Sequence, residues 1–328
     1  MCCSRLQMRL HNDRDAFGVL LDSVSERTGI RMDILEKDYY VTLLLSELAE
    51  KQAKLPAYFK GGTALYKSIG KMKRFSEDID LTVEIKDCSK SQGKKRLENA
   101  ANSYSCMERT QDKEKESNTK GSITGVYEYT PVTAIDEDDA LQRFGYVKVE
   151  ATSFTISEPT EPLKVEPLVY SFSGEDHKNS LKKLYKVEPF DLKTIKIERI
   201  FADKILAAEF YYQRRLLFDV SKHIYDITIM LEEDRIKRLM SEEETLIKML
   251  SYKRMEEKER IGSDLANKPF SDFTFFNRLS SDKALNTAFM KMQGIYVFDE
   301  RDKVEHEKLI EKIGSLHEVL LNLDEGLR

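Results

Sequence analysis

"FKGGTALYKSIGKMKRFSEDIDLTV", residues 59–83, opens on a double glycine and closes on two aspartates one residue apart, Asp78 and Asp80. The run from Ile79 to Ile85 reads as a strand. Strand side chains alternate faces, so Asp78 and Asp80 point the same way with Cα atoms about 6.6 Å apart. Two bare charges at that separation repel by about 2.5 kcal/mol at an effective dielectric near 20, and by about 0.6 in bulk water. Beside Ile79, Leu81 and Val83 the pair asks for a counter-ion. A divalent metal, Mg²⁺ or Mn²⁺, is the simplest one, because hard cations take carboxylate oxygens. Taken alone, an Asp-x-Asp also fits an exposed acidic turn.

The glycines narrow the choice. Gly61-Gly62-Thr63 opens a short helix expected over residues 63–69. Glycine lets the backbone approach a ligand closely, and the first helical N–H groups point outward unpaired. That is an anion site suited to phosphate. Thr63 either caps the helix or touches a phosphate oxygen, and an ordinary N-cap explains it equally well. From Lys51 to Arg74 there are seven basic residues, including Lys60, Lys67, Lys71 and Lys73, and no acidic one. A triphosphate with its metal matches such a set. A solvated basic face accounts for Lys51 and Lys54 as well, and for Arg74 less well.

Metal-assisted phosphoryl-type transfer calls for a third carboxylate, as base or as part of the metal shell. Glu150, in "YVKVEATSF", lies on an expected strand with Lys148 on its face. The solvent side of an amphipathic strand is the competing reading.

The rest of the chain sets the frame. It has 328 residues, 34% charged, with a formal net charge of −5 and a pI near 5.8. A globally basic nucleic-acid binder is excluded, although a local basic patch is not. Cys2, Cys3, Cys88 and Cys106 form no Cys-x-x-Cys pair and the histidines are scattered, so neither a zinc site nor a disulfide framework is indicated. The longest apolar runs, such as Val41–Leu45, are too short to span a bilayer, and a cytoplasmic protein is expected.

Apolar spacing predicts two helices in the first fifty residues, with Asn12 as N-cap and Gly29 as stop of the first. Residues 89–105 read as a helix, and 107–120 as a polar loop. Strand patterns follow at 121–132, 146–156 and 162–172. From residue 196 onward the pattern is helical. The expected fold is α+β: a mixed sheet with N-terminal helices over residues 1–195, and a C-terminal helical bundle packed on it over 196–328.

These residues together resemble the nucleotidyltransferase superfamily, and more narrowly the AbiEii/AbiGii toxin family, which includes the type IV toxin–antitoxin toxins of the AbiE and MenT kinds. Four stretches carry the likeness: "EKDYYVTLLL" (36–45), "FKGGTALYK" to "RFSEDIDL" (59–81), "ADKILA" (202–207) and "KHIYDI" (222–227). They span residues 36–227. The last motif often begins with arginine where this chain has Lys222. The stretch from Ser241 onward carries helices and no motif.

The resemblance implies roles. Asp78 and Asp80 hold Mg²⁺ on a nucleoside triphosphate. Gly61, Gly62, Thr63, Arg74 and Ser76 form the nucleotide-binding set. Lys204 neutralises phosphate charge, and Asp226 orients it or the acceptor. A surface Asp203–Lys204 pair and a helix-packing Asp226 are the plainer alternatives. His223, Asp38 and Tyr39 read as structural. The implied activity moves a nucleoside monophosphate to a cellular acceptor, with tRNA or another RNA expected, arresting growth in the manner of phage defence. An antitoxin encoded nearby is the implied partner. Lys178, Lys182, Lys183 and Lys186 either guide a nucleic acid or form a solvated loop. Transfer to a small molecule such as an antibiotic, and a non-catalytic NTP-binding switch, remain alternatives. A DxD glycosyltransferase lacks support, since no βαβ pattern precedes the aspartates.

Overall fold

A computed structural model describes residues 9–68, 74–134, 144–260, 262–297 and 299–326. In chain order the elements begin with α1 (Arg14–Thr28), α2 (Met32–Lys51), β1 (Ala57–Lys60), α3 (Gly61–Ser68), β2 (Ile79–Val83) and α4 (Lys90–Asn102). There follow β3 (Glu108–Arg109), β4 (Ser117–Thr119), β5 (Ser122–Glu128), β6 (Tyr146–Thr152), β7 (Thr160–Val165), α5 (Leu168–Ser171), α6 (Glu175–Tyr185) and β8 (Phe190–Ile195). Helices complete the chain: α7 (Ile197–Gln213), α8 (Leu217–Met230), α9 (Asp234–Ser241), α10 (Glu243–Glu259), α11 (Thr274–Arg278), α12 (Lys283–Tyr296) and α13 (His306–Gly326).

The chain divides into two compact units, each built from separate stretches. Residues 1–59, 77–152 and 162–194 form the first; residues 60–76, 153–161 and 195–328 form the second.

The strands make one mixed eight-stranded sheet in the order β3-β5-β6-β2-β1-β8-β7, with β4 paired to β5 off that path. β2 runs parallel to β6 and β1 parallel to β8, whereas β5 is antiparallel to β6. Ile79, Leu81 and Val83 of β2 and Val147, Val149 and Ala151 of β6 are buried. These are alternate residues, so one face of the strand pair fills the core and the other carries Asp80, Lys148 and Glu150. α4 packs on β5 so closely that a Cβ at Gly125 would come within 2.3 Å of the Ala101 carbonyl oxygen.

α2 explains the charged hallmark at its start. Glu36, Lys37 and Asp38 are buried, and each holds a separate piece of backbone. Glu36 accepts from the Val132 and Thr133 amides at 2.7 and 3.0 Å, and Asp38 from the Leu168 amide at 2.7 Å. Lys37 donates to the Tyr146 carbonyl where β6 begins. Buried charges paired to backbone in this way are costly to leave unmet, so the triplet fixes three connections at once.

In the second unit α7 and α8 pack together, burying Phe201, Ile205 and Ala208 of the first and Val220, Ile224 and Ile227 of the second, and α10, α12 and α13 pack against the pair. Glu209, fully buried on α7, accepts from Thr274 Oγ1 at 2.9 Å, the Phe275 amide at 3.0 Å and Lys268 Nζ at 3.2 Å.

Several local expectations are corrected. Asp13, not Asn12, caps α1, accepting from the Ala16 amide. The polar stretch 107–120 is a ribbon, β3 and β4, tied by Arg109 to Glu116, rather than a loop. Residues 162–172 split into the end of β7 and α5, because Pro167 starts a helical turn. Lys178, Lys182 and Lys183 sit on α6, where Lys178 and Lys182 pair with Glu175 and Glu188. The helical pattern after residue 196 is interrupted at 270–282, by a 3₁₀ turn and the short α11, before Asp282 caps α12. Lys71, Lys73, Cys2 and Cys3 lie outside the described residues.

Candidate active site

In the first unit, Asp78 directly precedes β2 and Asp80 is its second residue. Both are half-buried and flank the buried Ile79, so the alternation places them on one face. On the neighbouring strand Glu150 of β6 stands in register with Asp80. Paired residues on adjacent strands share a face about 4.8 Å apart. Three carboxylates therefore leave the sheet on the same side, with Glu150 the exposed one. On its other side Glu150 is paired with Thr124 of β5.

A divalent cation suits this donor set. Mg²⁺ commonly takes one or two protein carboxylates and fills its remaining positions with water and phosphate oxygens. Asp78 and Asp80 offer two such groups. Among the described residues no group of three or more His, Cys, Asp or Glu side chains is placed to hold a metal ion, so only the aspartate pair is offered as protein ligands.

In the second unit, α3 starts at Gly61, two residues earlier than expected, straight out of β1. Gly61 has φ of 81°, the left-handed region where glycine alone is unstrained. Gly62 is required by space. A Cβ there would lie 2.7 Å from Ser76 Oγ and 3.0 Å from Arg74 Nη2. Thr63 is buried, and its hydroxyl donates to Ser76 Oγ at 3.0 Å. The turn is thus fastened to residues 74–76 by direct contact.

Arg74, Lys204 and Asp226 meet within the same unit. Arg74 reaches Asp226 with Nε to Oδ1 and Nη2 to Oδ2, both at 2.6 Å, while Lys204 Nζ lies 2.9 Å from Oδ2. Relative exposures are 4% for Arg74, 6% for Lys204 and 0% for Asp226. Burial alone would raise the Asp226 pKa; the two cations outweigh it and hold the group at about 2. Two cations on one carboxylate leave a net positive charge, which suits a group that meets phosphate. The Arg74 fork is committed to Asp226, and its Nη1 to the Phe75 carbonyl at 3.0 Å. His223, one turn before, stacks on Tyr211; burial and then Lys204 push its pKa well down, so the ring is neutral.

A family model described as nucleotidyl transferase AbiEii toxin, type IV toxin–antitoxin system, matches residues 43–312. The chain belongs to this AbiEii family. It is accordingly a nucleotidyltransferase of the toxin–antitoxin class, with an NTP as substrate and an antitoxin as the implied partner. No curated protein matches it. Likeness to solved structures is weak. MenT4, a nucleotidyltransferase toxin from Mycobacterium tuberculosis H37Rv, aligns over 90% of this chain and 98% of its own at 14% identity and a TM-score of 0.42. A structure assigned as a nucleotidyltransferase from H. pylori aligns over 87% and 95% at 14% identity and a TM-score of 0.31.

The AbiEii chain also uses residues that its motifs do not display. The C-terminal end of α12 pairs with the segment leading out of the turn: the Phe75 amide donates to the Tyr296 carbonyl at 2.7 Å, and Arg74 bridges Val297 in antiparallel fashion. Lys222 lies 4.9 Å from the Tyr296 ring centre, a cation–π contact. On α7, Arg199 is buried against Asp203 and donates from Nη2 to Glu256 of α10 at 2.5 Å, and Glu256 also accepts the Ile156 amide. Backbone pairing of this kind has no sequence signature. Arg199 and Glu256 are separated by 57 residues with nothing in either neighbourhood to link them.

No helix among the described residues is long and apolar enough to cross a membrane.

Proposed function

We propose that this AbiEii-family enzyme transfers a nucleoside monophosphate from an NTP to a cellular RNA, with tRNA the expected acceptor, and so arrests growth. The observation that carries the chemistry is the register of Asp80 with Glu150, two residues beyond Asp78 on the same face. Asp78 and Asp80 would hold the divalent ion, which would supply positive charge to offset the phosphates. The amides of the Gly61-Gly62 turn would supply phosphate contacts. Lys204 supplies positive charge, kept in place by Asp226, which Arg74 in turn orients.

The acceptor hydroxyl forms a new P–O bond at the α-phosphorus as the bond to the bridging oxygen of pyrophosphate breaks. Pyrophosphate departs with the electron pair, and the hydroxyl proton passes to the Glu150 carboxylate. Positioning and charge neutralisation do most of the work in such transfers.

Purified protein incubated with labelled NTPs, Mg²⁺ and total tRNA should label the RNA and release pyrophosphate, and Asp80→Ala should do neither. Equal labelling by the variant removes the assignment. Stoichiometric NTP binding without pyrophosphate release across RNA, protein and drug acceptors would instead indicate a nucleotide-controlled switch. Expression should halt growth, and Asp78→Ala should restore it.

A further inference from the structure

α4, which packs on β2, β5 and β6 in the same unit as the carboxylates, carries its charge against its own dipole. Lys90 is its first residue, Lys94 and Lys95 follow one turn later, and Lys86 stands just before it. All four are exposed. The first turn holds no acidic residue and the last turn no basic one. Even the capping box at Ser89 is closed by the neutral Gln92, where glutamate would serve equally.

The N-terminal end of a helix is its positive pole, where cations are unfavourable and acids favourable. Lys90 and Lys94 also repel at i, i+4. Lys94 has one loose ion pair, to Glu98 at 3.7 Å, and Lys86, Lys90 and Lys95 have none with a described residue. Asp87 is the acid nearest in sequence. In a chain of net charge −5, this concentration of positive charge works against the helix that bears it. A polyanion laid along the face would relieve both penalties.

We propose that the solvent face of α4, with Lys86, Lys90, Lys94 and Lys95, docks the phosphate backbone of the RNA acceptor. This rests on the reading that the acceptor is RNA. Sign decides the occupant: the face offers cations without apolar anchors, which is the footprint of phosphate-backbone binding and not of a folded protein partner.

The test is Lys90→Glu/Lys94→Glu/Lys95→Glu, compared with wild type in labelled transfer to total tRNA and in tRNA binding across a salt series. The expected result is a rise in KM for tRNA of about tenfold or more, with a salt slope shallower by about 2–3, one counter-ion contribution per lost phosphate contact. KM for NTP should not change. The melting temperature should hold or rise, since glutamates now meet the positive pole of the helix. A lower melting temperature passes the test to Lys90→Gln/Lys95→Gln, for which a smaller shift in the same direction is expected.

Wild-type KM and salt slope in a folded variant overturn the inference while leaving RNA transfer standing. Polyglutamate binding to wild type as tightly as tRNA also overturns it. If wild type neither binds nor labels RNA, the acceptor reading has failed, and this surface assignment fails with it.

Discussion

Arg74 and Asp226, 152 residues apart in sequence, meet in a buried two-pronged ion pair with both contacts at 2.6 Å. Lys204 completes the arrangement from α7. Removing one partner of a buried pair leaves the other charge uncompensated, which costs about 3–5 kcal/mol. Arg74→Met should therefore destabilise by about that amount in urea unfolding. Arg74→Lys should be nearly as damaging, because an ammonium cannot reproduce the fork. Unchanged midpoints for both variants would refute a structural role for the pair.

Acid should erode the same contact. The Asp226 pKa is about 2 in the folded protein against 3.8 for the unperturbed group. A depressed carboxyl contributes stability above its unfolded pKa and loses it as pH falls from about 4 toward 2. The contribution is about 2 kcal/mol at neutral pH. Asp226→Asn should be less stable than wild type at pH 6, and the gap should narrow by about that amount near pH 2.

Gly62→Ala should disturb the turn through Ser76. The new Cβ falls 2.7 Å from Ser76 Oγ, and overpacking of this kind costs about 1–3 kcal/mol. Deleting the hydroxyl with Ser76→Ala should recover part of the loss. The double variant should be more stable than the sum of the singles predicts; strict additivity would mean that the two residues do not press on each other.

The buried triplet of α2 should govern stability alone. Asp38→Ala removes the acceptor of the Leu168 amide and Glu36→Ala that of the Val132 and Thr133 amides. Each should lower stability by about 1–3 kcal/mol. KM for NTP should stay at the wild-type value below the melting transition, and a selective rise in that KM would point to a direct part in binding.

Much of the fold was legible where periodicity was long. α2, α7 and α8 show an apolar stripe over several turns, and β5 and β6 alternate cleanly. β1, four residues ending at the double glycine, and β8, six residues before the long helix, are too short for any period to register. Residues 107–120 misled because an exposed ribbon needs no apolar face: β3 and β4 are wholly solvent-exposed and held by backbone pairing to β5. The aspartate pair and Glu150 could be proposed from spacing, and strand register gave Asp80 and Glu150 a shared face. Lys204 and Asp226 were chosen by family likeness, and direct contact joins them. Tyr296 and Val297 act through main-chain atoms, which leave no trace in residue type. The motif-free C-terminal stretch was therefore silent about its part in holding Arg74 and Phe75.

That late partnership bears on the order in which this unit can assemble. The strand-like contact of Phe75 is made by residue 296, and the unit holding it draws on three separate lengths of chain, the last running to residue 328. Until residue 296 has been synthesised, Phe75 has no Tyr296 carbonyl to meet. A nascent polypeptide, or one cut short before residue 296, therefore lacks the main-chain partner that holds the segment after the double glycine.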